Sequence, residues 1–535
     1  MTIGTNAMTE ALYIGMQRVE SLLCSDSNSS HFGCADRDFW AYRTTRGFPS
    51  SPFQHVMGGL AYLSKFSRND DGERTKRLAL AALDYWSQQR NTNGSANEWY
   101  RNEQSYCATA MGLHAACETL FVLRDELAET DVRSRCVSLQ TSARWLAKRD
   151  NLLATNQRVA SITGRFLLGS LLNNREMCEG AVATLKHVEA AFADVGFLPE
   201  YGGMDIGYTL LSIDLFATAH RAGFSECEAI VDALCTQLSR IVGSSERLPF
   251  ELGSRGSHHH FFGGVLYFEK VIEQAHQLAQ SQRESVVQRQ CGDFSRYDDR
   301  YLATFGFTAL ARRAALEANT SPQARLSTVA PLKFPPPPIA SRSFAGGTLF
   351  AHEQLGGALS WCGPRHQSVA QLGYVFTDEA KRKWTTLVPP IEPTGSYVFT
   401  RVSDAMPLIR HELTWRAVFA LCRISTVAAI VSRLARTRAG RPTKTAPLAL
   451  SREVSVSGAE VIIEDLITVR GSLRGSLRAI QAFPFHSPSL MSLTIPTSDG
   501  ARFVRTVEQR RGESEMKICW KLIADADNQV SVVVV

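Results

Sequence analysis

Four consecutive prolines, Pro335 to Pro338, divide this chain into two textures and so limit what it can fold into. Proline has no N–H to donate and a fixed φ, so neither a helix nor a central strand runs through such a block. The block favours polyproline II and reads as a stiff linker. From about residue 53 to 320, apolar residues recur every three or four positions, with Gly, Asn, Asp or Ser at the breaks. The spacing predicts helices at 53–66, 75–90, 105–124, 129–149, 156–173, 177–194, 206–221, 226–242, 260–281 and 298–318. Past the prolines come short β-rich runs such as GGTLFAHE, RHELTWRAVFALCRI, AEVIIEDLITV and QVSVVVV, punctuated by turn residues. The run STVAAIVSRLARTRAGRPTKT reads as a strand leading into a basic exposed loop. The expected class is multidomain α and β: an incomplete N-terminal (α/α) toroid over 1–330, a proline-rich linker over 331–342, and a C-terminal antiparallel β-sandwich over 343–535.

The toroid expectation rests on helices that are apolar on two sides. In 206–221, Ile206, Leu210, Ile213 and Ala217 form one stripe, and Leu211 and Leu215 lie nearly opposite. A helix of that kind is buried on both faces, as the inner helices of a double-layered ring are.

Composition excludes several function classes. The chain has 535 residues, 44% apolar and 21% charged, which fits a folded globular protein. Its net charge of +6 is spread thinly, with no basic block, so nucleic acid is not implied. A mild positive field does favour an acidic partner. The 12 cysteines show no zinc-like spacing and read as reduced structural thiols. No signal peptide and no uninterrupted apolar stretch of membrane-spanning length is visible, so a cytoplasmic location is the default expectation, with a periplasmic or secreted one if the true start differs. There is no P-loop, G-x-G-x-x-G, G-x-S-x-G or H-E-x-x-H motif, and no cofactor is expected.

Three local patterns carry more information. Thr155-Asn156-Gln157-Arg158 opens a helix, Asp205-Ile206-Gly207-Tyr208 opens another about fifty residues later, and Glu251-Leu252-Gly253-Ser254-Arg255 runs into His258-His259-His260. Together with the early DRDFWAYRTTRGFPSSPFQ stretch, and with helices preceding strands, this resembles the heparinase II/III-like polysaccharide lyases, and relatives from exopolysaccharide gene clusters in particular. The resemblance covers most of residues 36–370. It implies a toroid followed by a sandwich, an acidic polysaccharide or oligosaccharide as partner, and a catalytic tyrosine at Tyr208. The family carries a histidine after the asparagine, and this chain has Gln157 there. Glutamine cannot take a proton, so the base falls to Tyr208 or another histidine, or the chain is not a lyase.

Cleaving a uronate polymer by β-elimination needs a group to neutralise the carboxylate, a base for the α-proton and an acid for the leaving oxygen. Asn156 and Gln157 offer amides at a helix N-terminus, where free N–H groups already favour an anion. Tyr208 is the candidate acid and, beside a cation such as Arg255, the base. His258 or His260 is the alternative base, because imidazole titrates near neutrality. Glu251, Asn102 and His366 complete the candidate substrate-binding set, and Glu103, Ser105 and Tyr106 adjoin Asn102. Each has an ordinary reading: helix start for Asn156-Gln157, core aromatic for Tyr208, ion pair for Glu251–Arg255, turn residue for His366. Trp40, Trp86 and Trp99 could stack on sugars, though core burial is the ordinary role. Three adjacent histidines cannot all face one ion, so no metal site is expected. A lyase on an acidic glycan is the leading reading. A glycoside hydrolase using Glu200 or Asp205 with Glu251 is the second. A non-catalytic glycan-binding protein of polysaccharide biosynthesis is the third.

Overall fold

The three- and four-residue apolar spacing folds into helices packed in two layers. The structure is a computed structural model that describes residues 3–42, 47–66, 70–201, 203–242, 248–254, 257, 261–280, 298–318, 331–352, 359–362, 369–381, 383–386, 397–401, 417–418, 420–431, 445–469, 475–482, 501–508, 515–525 and 530–534. Its helices are α1 (Ile3–Leu22), the short α2 (Arg37–Trp40), α3 (Val56–Phe66), α4 (Asp70–Gln89), α5 (Tyr106–Leu123), α6 (Glu129–Ala147), α7 (Thr155–Leu171), α8 (Arg175–Val195), α9 (Ile206–Arg221), α10 (Glu228–Val242), α11 (Gly263–Phe268), the short α12 (Asp299–Tyr301) and α13 (Phe307–Ala318). Helix α1 has no counterpart in the sequence expectation. The expected 260–281 helix is broken into α11 and a second piece, separated by a turn over 269–272.

Six helices form an inner ring. Helices α3, α5, α7, α9, α11 and α13 pack in that order, and α13 returns to α3. Outside them, α4 covers α3, α6 covers α5 and α7, α8 covers α7, α10 covers α9 and α1 covers α13. The inner helices are buried nearly all round, as the two-sided apolar pattern of α9 requires. Helix α5 is apolar and long enough to cross a membrane, but 89% of its apolar window is buried within the protein. Two glycines let inner elements approach. A Cβ on Gly112 of α5 would fall 2.4 Å from the Trp86 ring of α4, and one on Gly264 of α11 would fall 2.6 Å from the Ile213 carbonyl of α9.

Before residue 300 the described strands are only the two-residue β1 (Pro199–Glu200) and β2 (Gly203–Met204). After the prolines come β3 (Ile339–Phe344), β4 (Gly347–His352), β5 (Leu359–Cys362), β6 (Val369–Asp378), β7 (Lys383–Thr385), β8 (Tyr397–Arg401), β9 (Thr445–Ser457), β10 (Glu460–Val469), β11 (Gly475–Ala482), β12 (Ala501–Glu508), β13 (Glu515–Ala524) and β14 (Val530–Val534). They pair antiparallel in the order β14-β13-β10-β9-β8-β7-β6-β5-β4-β3, with β11 on β6 and β12 on β11. Side chains alternate inward and outward, as β13 shows. The path folds over itself. Tyr374 of β6 reaches Asp465 of β10 and Trp520 of β13, strands it does not pair with, and Arg452 of β9 closes the cluster on Asp465.

One sequence expectation fails here. The stretch 410–445 was expected as a β-rich run followed by a strand leading into a basic loop, and its described part, 417–418 and 420–431, is helical apart from a turn at 422–424. Val418, Cys422, Ala428 and Val431, from two short helical pieces either side of that turn, close over Tyr100 of the helical region, a tertiary contact that overrides local β-propensity. The two regions also meet elsewhere. Phe334 of the linker packs on Phe192 of α8, and the Ser341 hydroxyl of β3 donates to the Val242 carbonyl at the end of α10.

Candidate functional site at the helix N-termini

Backbone pairing closes the loop before α5 on itself and stitches the loops before α7 and α9 together. Ala96 bridges Ser105, Ala154 bridges Glu200, and the Ser254 N–H donates to the Met204 carbonyl. Each helix start needs acceptors for its free N–H groups. Ser105 caps α5 by accepting from the Ala108 N–H, and Asp205 caps α9 by accepting from the Tyr208 N–H. Helix α7 has no side-chain cap at Ala154. Glu200 supplies it from another loop: one carboxylate oxygen accepts from the Asn156 N–H at 2.6 Å, the other from the Asn156 side-chain amide at 2.7 Å.

A hydrogen-bonded path therefore links the sequence candidates. Asn156 is held by Glu200, whose carbonyl accepts from the Ser254 hydroxyl at 2.6 Å. The Asp205 carboxylate accepts from the Ser257 N–H at 3.2 Å and from the Tyr208 N–H at 3.0 Å. Gln157 accepts from the Asn151 amide at 2.7 Å. Asn156, Gln157, Glu200, Asp205 and Tyr208 are all buried. Glu251 faces the β region instead: it accepts from the Ser360 hydroxyl of β5, and its carbonyl accepts from the Gln371 amide of β6. The carboxylates expected of a hydrolase, Glu200, Asp205 and Glu251, thus each hold local structure together. Asn102 has φ of 61° and donates to the carbonyls of Cys422 and Arg423 at 3.2 Å. Arg255, His258, His259, His260 and His366 lie outside the described residues.

The loop before α5 sets Glu98 and Arg300, which sequence reasoning passed over, against Trp99 and Glu103, which it had named. Of the three tryptophans considered, Trp86 is buried with its indole N–H on Ser51, Trp40 is half-buried, and Trp99 is 40% exposed. The Arg300 guanidinium stacks 4.3 Å over Trp99 and donates to Glu98 at 2.6 Å. Glu103 accepts from the N–H groups of Glu98 and Trp99 at 2.6 and 2.7 Å. Burial and then the neighbouring Glu98 push the Glu103 carboxyl up to about 8, and burial raises Glu98 despite Arg300. Burial drives up the thiol of Cys107, the second residue of α5, with smaller effects from Glu98, Arg300, Glu103 and Glu200. The other face of the same loop lines a cavity of about 280 Å³ with Asn97, Arg101 and Asn102 opposite Trp86, Gln88 and Arg90.

Deeper in the ring, Arg312 of α13 makes a bidentate pair with Glu118 of α5 at 2.7 Å and a further pair with Asp214 of α9. Burial raises the Glu118 carboxyl, but Arg312 outweighs it and holds the group at about 2. This cluster joins three inner helices and has no path to the rim among its described bonds.

Fold and site together define a helical ring with an antiparallel β region and a polar rim where inner helices begin. No known protein family and no curated protein matches the sequence. Solved structures that superpose on it include the chondroitin AC lyase of Streptomyces coelicolor A3, as a point mutant, and a Paenibacillus xanthan lyase. The first gives a TM-score of 0.43 at 10% identity over 90% of this chain and 69% of that one. The second gives 0.40 at 10% identity over 90% and 47%. Both neighbours are polysaccharide lyases, and the chain spans about half the length of the second.

Proposed function

We propose that this chain is a carbon–oxygen lyase that cleaves an acidic, uronate-containing polysaccharide by β-elimination at the helix N-terminal rim. On this reading residues 1–330 are an (α/α) toroid, 331–342 a linker and 343–535 a β-sandwich. The observation that carries it is the bonding of the loops before α7 and α9, through Ala154–Glu200 and Ser254–Met204, which gathers Asn156, Gln157 and Tyr208 at one end of the helices. Tyr208 serves as acid, and as base if a cation such as Arg255 lowers it; His258 or His260 is the alternative base. Asn156, Gln157, Asn102 and His366 orient the sugar. Trp99, 40% exposed with Arg300 stacked over its ring, lies on the loop before α5. Incubation with a panel of uronate polysaccharides, read as absorbance of the unsaturated product, tests it. Binding without any such product across the panel overturns the lyase assignment.

A second reading is favoured by Gln157, which carries no titratable proton. The chain would then bind the same glycan without cleaving it. Equilibrium binding to the panel in the absence of product distinguishes the two.

A further inference from the structure

The cavity of about 280 Å³ between the end of α4, the turn before α3 and the loop before α5 carries two guanidiniums on its wall, Arg90 and Arg101, and no carboxylate. Arg90, just past α4, donates to the Ser87 and Ser138 carbonyls and to the Thr141 and Ser142 hydroxyls. All four acceptors are uncharged. Burial lowers that guanidinium to about 10, and no carboxylate acts on it. Half-buried with the Trp86 ring 5.2 Å away, its charge has no counter-charge among the described residues. Arg101 is exposed and donates to the Gly47 carbonyl at 2.6 Å. It too has no acid partner among the described residues. Gln88 and Gln89, exposed on the same wall, leave their amides without a hydrogen bond among the described residues.

These groups set the chemistry of a ligand. A metal ion finds two positive charges and no carboxylate on the wall. An apolar molecule would take water from guanidiniums and amides and give nothing back. Two unpaired cations favour an anion, and a guanidinium holds a carboxylate or a sulfate through charge-assisted bonds. Charge acts over about 10 Å at moderate salt, so Arg90 contributes without touching the ligand. A side-chain amide both donates and accepts, which matches neighbouring hydroxyls. The volume lies at the small end for ligand pockets and suits one ring with its substituents. We propose that this cavity binds one unit of an acidic sugar, its carboxylate or sulfate ester drawn to Arg90 and Arg101 and its hydroxyls bonded to Gln88 and Gln89. Of the residues given a part in cleavage, only Asn102 lines the cavity among the described residues, and its amide is held by the Cys422 and Arg423 carbonyls. The site therefore goes beyond the lyase reading and stands without it: an acidic glycan is gripped here whether or not it is cut.

Calorimetric titration of the full chain with sodium glucuronate, glucose 6-sulfate, glucose and inorganic sulfate, at fixed ionic strength, tests it. At least one of the two acidic sugars is expected to bind about tenfold or more tightly than either glucose or sulfate, and the tighter of the two names the acid group. Glucose or sulfate binding as well as both acidic sugars overturns the proposal, and so does no binding of either acidic sugar. Arg101→Gln, at an exposed position, is expected to weaken the acidic sugar by about tenfold, the loss of one charge-assisted bond. Arg101→Lys is expected to recover part of that loss. Unchanged affinity in Arg101→Gln puts the sugar elsewhere and overturns the assignment. The uronate-polymer assay separates this site from cleavage. If the parent forms unsaturated product, Arg101→Gln should raise KM and hold kcat, and a fall in kcat with KM unchanged overturns a binding role. If the parent forms none, the lyase reading fails and the titration alone decides the cavity.

Discussion

Glu200 holds the start of α7 with both of its oxygens, at 1% exposure. Replacing it with glutamine turns one acceptor into an N–H₂ that faces donors of Asn156. The Glu200→Gln variant is expected to lose about 1–3 kcal/mol, the cost of leaving a buried group unsatisfied. Urea denaturation checks it; an unchanged midpoint would show that α7 does not depend on this cap. Tyr208 has a different test. If the chain is a lyase, Tyr208→Phe should cut turnover by roughly 10² to 10⁴ and leave the circular dichroism unaltered, because it removes only the transferable proton. Full activity in that variant would mean the proton moves elsewhere. Gln157→His should hold or raise activity, since it supplies an imidazole where Gln157 now accepts from Asn151. At this scale the sequence told which residues begin helices, because Asp205 and Ser105 are cap types placed before apolar runs. It could not tell that Glu200, 44 positions away, would cap Asn156, nor that Arg300 would stack on Trp99. Such pairs are set by tertiary approach, and no local pattern encodes them.

Element boundaries were legible where one face of a helix repeats over several turns. Helix α9 was expected at 206–221 and lies there. The stretch 410–445 was misread over its described part because short apolar runs there fit either period until Tyr100 arrives from the other region to cover Cys422 and Ala428. How inner and outer helices meet was also hidden, although the glycines that permit it are visible in the sequence. Gly112 is the clearest case: a Cβ there meets three atoms of the Trp86 indole at 2.4–2.6 Å, and Trp86 is itself pinned by its bond to Ser51. Gly112→Ala is therefore expected to cost about 1–3 kcal/mol through overpacking, against the gain in helix propensity that alanine gives on its own. A denaturation midpoint equal to or above the parent's would show that α4 yields without loss.

The whole molecule carries its pH response in buried groups on opposite sides of neutrality. Burial, aided by Arg300 at His55, holds that imidazole at about 3, and burial outweighs the pull of Glu118 to hold His114 at about 4. Both lie below the ordinary 6.5, so above that pH neither state is protonated and their contribution is fully present. As pH falls below 6.5 the unfolded chain takes up protons that the folded chain refuses, and stability drops until the folded values are reached. Glu103 works in the other sense. Its carboxyl is raised to about 8 by burial and by Glu98, so the folded state holds a proton that the unfolded state has released above 4.5. Its contribution is full below that value and is lost as pH rises toward 8. Stability against pH should thus fall on both limbs for separable reasons. Each histidine changes the acid limb by up to one proton, about 1.4 kcal/mol per pH unit. His55→Phe and His114→Phe should each flatten the curve between pH 6.5 and 4.5 whatever they do to its height. Glu103→Gln should flatten it between pH 6 and 8 and leave the acid limb's histidine contribution intact. Denaturant titrations at half-unit steps read these slopes directly. Parallel curves for parent and histidine variants would mean that the interior imidazoles titrate as they do in the unfolded chain, which the closed ring around them does not allow.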